Sequence, residues 1–202
     1  MRIKAAAIVA LALASLLQAG GPAKAYVIKS TNIFTDPLHA KAVGVLEVGA
    51  SVTPLKETKG WREIRVEGWQ QEGMPSVIFA FEGKRVVKAM LTPEGQKRLE
   101  VLKQVTDPDT GLKWKKVALR DVWIHGGKLA KSMDNAWQKA AALYEERCSM
   151  CHALPKTTEY TANQWPATLR VMSKRAALNR AQTDLVAKYL QYHAKDTANL
   201  TP

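Results

Sequence analysis

Apolar and polar positions alternate in short runs from about residue 26 to residue 120, then recur every three or four residues from about residue 134. The first pattern is that of half-buried strands and the second that of amphipathic helices. Val43, Val45, Leu46 and Val48 lead to Gly49, and Ser51-Val52-Thr53-Pro54-Leu55 runs to the turn Thr58-Lys59-Gly60. Trp61-Arg62-Glu63-Ile64-Arg65-Val66 alternates strictly, with Trp61, Glu63 and Arg65 on one face and Ile64 and Val66 on the other. Glu67-Gly68 makes the next turn before Trp69. Short strands between glycine turns predict a small barrel. After the turn cluster Thr106-Asp107-Pro108-Asp109-Thr110-Gly111, Leu112 to Leu119 alternates again before Trp123-Ile124. A short helix is expected between Thr92 and Val101, with Thr92 as N-cap and Pro93 at the first helical position.

His125-Gly126-Gly127 through Ser132 reads as a linker. Beyond it three helices are predicted. The first is capped by Asp134, carries Trp137, Ala140, Ala141 and Tyr144 on one face, and runs into Cys148. The second covers about Asn163 to Ala176, with Trp165, Leu169 and Met172 in line. The third covers Gln182 to Lys195, with a stripe of Leu185, Val186, Tyr189, Leu190 and His193.

The segment Val48-Gly49-Ala50-Ser51-Val52, then Gly60-Trp61, Ile64, Val66 and Gly68-Trp69, resembles a bacterial SH3-like domain. That resemblance implies a small β-barrel used for binding or packing, without catalytic residues. The expected fold is therefore α+β in two domains. An SH3-like barrel region over 26–125 and a linker over 126–133 precede an all-α domain over 134–202.

The start of the chain changes the cellular setting. Met1-Arg2-Ile3-Lys4 is basic, Ala5 to Leu17 is almost wholly apolar, and Ala23-Lys24-Ala25 supplies a small-x-small end. This is the pattern of a secretory signal peptide over 1–25, cut after Ala25, and predicts a periplasmic protein. The apolar run is well short of the roughly 20 residues that cross a bilayer. The formal charge is +12. In an exported chain without a clustered basic motif, this argues against nucleic acid and for an acidic protein partner, whose encounter opposite charge accelerates.

The chemistry concentrates at Cys148-Ser149-Met150-Cys151-His152. Cys-x-x-Cys-His is the spacing for covalent attachment of haem c: two thiols add to the vinyl groups, and the adjacent imidazole meets the iron. Only two cysteines are present, too few for a four-thiolate zinc or iron–sulfur site. A disulfide or a thioredoxin-like redox pair remains open to two cysteines, but neither accounts for the following His, and the redox pair lacks its βαβ surround. His152 is thus expected as the proximal iron ligand, and the three predicted helices over 134–202 as an all-α, class I-like cytochrome c domain around it. Met172, beside Trp165 and Leu169, is the leading distal candidate; His193, His125, Met133, His39 and an open position are the alternatives. Trp165, Tyr160 and Tyr189 are expected near the haem edge, and Lys156, Arg170, Lys174, Arg175 and Arg180 form either a docking ring or an ordinary solvated face.

Cys148-Ser-Met-Cys-His152-Ala-Leu-Pro155, Tyr160-Thr-Ala-Asn-Gln-Trp165, Met172 and Tyr189-Leu190, behind the SH3-like segment, resemble the C-terminal monohaem region of pentahaem cytochromes of trimethylamine N-oxide reductase systems. The resemblance implies a periplasmic cytochrome that passes electrons to a molybdenum-containing N- or S-oxide reductase, with Cys148, Cys151 and His152 holding haem. Those relatives are membrane-anchored and carry four further haems, whereas this chain has one Cys-x-x-Cys-His. A soluble carrier between a membrane-bound donor and a periplasmic enzyme with an acidic docking surface is the expected role. No acid, base or nucleophile constellation surrounds the motif, so an electron-transfer protein is expected rather than an enzyme such as a peroxidase. A haem-containing redox sensor or assembly module, binding a partner through the SH3-like region, is the alternative.

Overall fold

A computed structural model describes residues 23–201. The expected leader falls mostly on residues 1–22, outside the described residues. The strands are β1 (Ala25–Val27), β2 (Thr31–Phe34), β3 (Ala42–Leu46), β4 (Ser51–Thr58), β5 (Trp61–Gln71), β6 (Val77–Phe81), β7 (Lys84–Leu91), β8 (Leu99–Thr106), β9 (Lys113–His125) and β10 (Leu129–Ala130). A one-turn helix, α1 (Pro93–Gln96), separates β7 from β8, and α2 (Asp134–Cys148), α3 (Trp165–Ser173) and α4 (Arg180–Tyr192) follow.

The strands form a barrel. The order β5-β6-β7-β3-β2-β9 returns to β5, because β9 pairs with β5 from Trp61↔His125 to Gln71↔Trp114. Every pairing in this ring is antiparallel. The strict alternation of β5 is realised in it: Ile64 and Val66 point inward with no exposure, beside Ile33, Leu46, Ile78, Leu119 and Ile124. On its other edge β5 changes partner, pairing with β4 through Arg65 and with β6 at Trp69. β1 and β10 extend the sheet beyond β4, so the stretch read as a linker contains a short strand paired to β1.

A second apolar layer lies outside the barrel wall. Ala80, Phe81 and Val86, from β6 and β7, pack with Tyr144, Cys148, Trp165, Leu169, Val186 and Leu190 from the three long helices. Phe81 meets Tyr192 edge-on at 5.5 Å, and the Tyr192 hydroxyl donates to the carbonyl of Gly49 at 3.0 Å.

The expected division into an SH3-like barrel region and a separate all-α, class I-like cytochrome c domain is therefore corrected. The protein is mostly β with a six-strand closed barrel. Two physical reasons account for the difference. The long strand β9, far along the chain, seals a ring that a local reading of residues 48–69 does not contain. The helices also share their core with the barrel wall, because their apolar stripes are buried partly on β6 and β7.

Local expectations shift too. Thr92 caps α1 through its side chain, which accepts from the Gly95 amide at 3.3 Å, but the helix lasts one turn before β8 begins. Asp134 is the first residue of α2 and Met133 stands at its N-cap. α4 starts earlier than its stripe suggests, at a capping box in which Asn179 and Gln182 bond each other's backbone amides at 2.9 and 3.0 Å. No described helix is long and apolar enough to cross a membrane.

Candidate haem site

The site is built where α2 stops. Tyr144 and Cys148 lie one helical turn apart on the buried face of α2, so the last thiol of the helix points into the protein. Burial raises the Cys148 thiol above its usual value. After Ser149 the chain leaves the helix, and Cys151 and His152 are exposed. Both cysteines are free thiols; no disulfide joins them. The Nδ1 of His152 bonds the carbonyl of Ala153 at 2.7 Å. Since a carbonyl only accepts, Nδ1 carries the proton and Nε2 keeps a lone pair for a metal.

The loop that follows is fastened from behind. Tyr144 donates its hydroxyl to the Pro155 carbonyl at 2.8 Å, and Trp165 donates Nε1 to the Thr157 carbonyl at 2.9 Å. Trp165 is fully buried and meets Tyr160 edge-on at 4.9 Å and Tyr144 at 6.1 Å. These rings anchor the polypeptide that leaves His152 toward α3.

One cavity is lined by Cys148, Cys151, His152 and Met172 together, with Arg147 and Arg175 among its other walls. Its apolar members Met150 and Val171 remain 74% and 68% exposed. Two free thiols, an imidazole with a fixed tautomer, a thioether and exposed apolar surface form a donor set that fits haem c. Among the described residues no group of three or more His, Cys, Asp or Glu side chains could hold a metal ion.

The other expected residues are elsewhere. Trp165 belongs to the core behind the loop, and Tyr189 packs on His193 at 4.4 Å; neither lines this cavity. His193 bonds the Tyr189 carbonyl at 2.7 Å and shares a different cavity with Met133. His125 packs on Trp61 at 4.8 Å, and the exposed His39 pairs with Asp36. Of the exposed cations expected around the haem, Arg175 lines the cavity, and Arg147, which the sequence reading did not single out, joins it. Arg147 is the last cation of α2, and its neighbour Cys148 is the signal by which it is found.

Comparison with known proteins supplies the class. Residues 20–129 match the model of a family described as "TorC third cytochrome c domain". Cytochrome c-type protein TorC of Escherichia coli strain K12 is 30% identical over 174 residues, covering 86% of this chain and 44% of that protein. Cytochrome c-type protein TorY of Haemophilus influenzae is 32% identical over 133 residues, 66% of this chain and 36% of that protein. No solved structure matches. The protein is a c-type cytochrome, a class that carries covalently bound haem c. The family match covers the barrel and holds neither cysteine; the Cys-x-x-Cys-His follows it. The chain belongs to the TorC family. It spans less than half the length of these relatives.

Proposed function

We propose that this chain is a periplasmic electron carrier with a single haem c, attached through Cys148 and Cys151. His152 is the proximal iron ligand and Met172 the distal one. In this reading residues 1–25 are an export leader and 134–202 the haem-bearing part. The observation that carries it is the one cavity lined by both thiols, His152 and Met172. When bound, haem c supplies a one-electron Fe(III)/Fe(II) couple.

The protein's own groups tune and present that couple. The Ala153 carbonyl holds the His152 ring in one tautomer and orientation, and strengthens it as a ligand. A thioether from Met172 favours a higher potential than a second imidazole would. Arg147 and Arg175 put positive charge beside the cavity, and Lys156, Arg170, Lys174 and Arg180 are exposed cations of the same part of the chain. Positive charge there suits an acidic partner, which speeds encounter. The TorC relationship supports a molybdenum-dependent N- or S-oxide reductase as the acceptor and a membrane-bound protein as the donor.

Two measurements test this. Haem staining after denaturing electrophoresis should be lost when Cys148 and Cys151 are both replaced by Ser; unchanged staining overturns the site. The reduced protein should be oxidised rapidly by a purified N-oxide reductase, at a rate that falls with ionic strength. Absence of any electron exchange overturns the carrier role.

A further inference from the structure

A second cavity, of about 290 Å³, lies on the outer face of the barrel where β5 leaves β4 and joins β6. Its floor is Lys88 of β7, which is only 3% exposed. Ser51 of β4 and the main chain of β5 hold that ammonium: Nζ donates to Ser51 Oγ at 2.8 Å and to the Glu67 carbonyl at 2.6 Å. An ammonium has three N–H donors, and these bonds use two of them. Among the described residues Lys88 forms no ion pair with a carboxylate.

The walls add more positive charge than they neutralise. Arg65 of β5, Lys116 of β9 and Lys24 line the same cavity, and among the described residues Glu67 is its single carboxylate. That carboxylate is already divided, with Oε1 2.8 Å from Arg65 Nε and Oε2 3.8 Å from Lys116 Nζ. Lys24 lies in the expected leader, so the argument rests on Arg65, Lys88 and Lys116, which still outnumber Glu67. Burying a cation without a counter-charge is costly, and one partner that supplies two negative charges and several acceptors answers the whole cluster.

We propose that this groove is a binding site for a small doubly charged tetrahedral oxyanion, of the phosphate or sulfate class, with Lys88, Arg65 and Lys116 as its cationic donors and Ser51 as a neutral one. Desolvation is the main cause that lowers Lys88, to about 7 with Lys24 in place, and it and the like charge of Lys116 act without Lys24 too, against the attraction of Glu67. The anion therefore binds more tightly below neutrality, when Lys88 is protonated, and its binding draws a proton onto Lys88.

The site lies apart from the haem, so calorimetric titration of the full haem-loaded chain with inorganic sulfate tests it without any redox readout. Failure of the carrier function leaves this result untouched. Against potassium chloride at matched ionic strength and pH 6, sulfate should bind at a single saturable site. Its affinity should fall at least tenfold in Lys88→Met, and in the wild type should decline as pH rises from 6 to 8.5. Inorganic phosphate should compete with sulfate. Arg65→Gln and Lys116→Gln, at part-exposed positions, should each weaken sulfate binding if Lys88→Met fails to fold. A titration no different from chloride, or unchanged affinity in Arg65→Gln and Lys116→Gln, overturns the proposal.

Discussion

Lys188 of α4 donates its ammonium to the backbone carbonyl of Val87 on β7, in the layer between the helices and the barrel. Only 8% of the residue is exposed, and burial lowers it from the usual 10.5 to about 8. A helix and a barrel strand are thus joined by a polar bond inside an otherwise apolar contact. Lys188→Ala leaves the Val87 carbonyl without its donor and removes the packed stem, at a cost of about 2–3 kcal/mol. Urea denaturation followed by far-ultraviolet dichroism and by tryptophan fluorescence should show one midpoint, shifted equally in both signals. Two separate midpoints would contradict a shared core.

The buried lysines set how stability varies with pH. Lys88 at about 7 and Lys188 at about 8 both lie below their unfolded value of 10.5, so the unfolded chain binds more protons between these limits. Stability should therefore rise with pH, from about 7 for Lys88 and from about 8 for Lys188, up to about 10.5. Burial raises Tyr144 and Tyr192 above the usual 10.0, so their contribution is lost as pH rises past 10. The free energy of unfolding in an anion-poor buffer should climb from neutrality to a maximum near pH 10. Lys88→Met should flatten the lower part of that climb.

Tyr144→Phe removes one hydrogen bond to the Pro155 carbonyl and keeps the ring against Trp165. The expected loss is about 1 kcal/mol. Amide exchange should accelerate in residues 153–159 while β5 and β9 are unaffected. Unchanged exchange in that loop would show that Trp165 alone restrains it.

Gly49 has φ +85°, and a Cβ there would stand 3.1 Å from both the Trp137 and the Tyr192 rings. Gly49→Ala is strained in its backbone and crowded against α2 and α4, so it should destabilise by about 1–3 kcal/mol. Thermal unfolding measures this directly, and an unaltered midpoint would mean that both rings move aside freely.

On the proposed ligation, Met172→Ala should leave covalent haem in place and open the distal position. The oxidised spectrum should shift from six-coordinate low-spin toward high-spin, and added imidazole should bind rapidly. Met172→His should lower the reduction potential. A low-spin spectrum unchanged in Met172→Ala would transfer the distal role to another residue.

Local signals were legible and distant ones were not. The alternation around Ile64 and Val66 separated the two faces of β5, and the three-four spacing located α2, α3 and α4, because both depend on neighbours along the chain. Barrel closure depends on β9 meeting β5 over its full length, which no local pattern encodes. Nothing in the local pattern at Phe81 and Val86 shows that helices cover them. Cys148, Cys151 and His152 declare themselves by adjacency, whereas only the fold brings Met172 into the same cavity. The buried lysines were the least visible. A charged residue in a strand or beside a helix stripe looks solvated, and Lys88 and Lys188 are buried because each caps a backbone carbonyl.

Phe81, Val86 and the Val87 carbonyl give the barrel wall a second task, as the surface against which the helices around the haem cavity are held. An electron carrier gains speed when its cofactor environment rearranges little between oxidation states, and helices braced on a closed sheet have little room to move. On the proposed haem position, the barrel would act on electron transfer without touching an electron, as the mount of the cofactor. Loosening β7 should then raise the reorganisation energy of the couple even when haem, ligands and docking charges are intact.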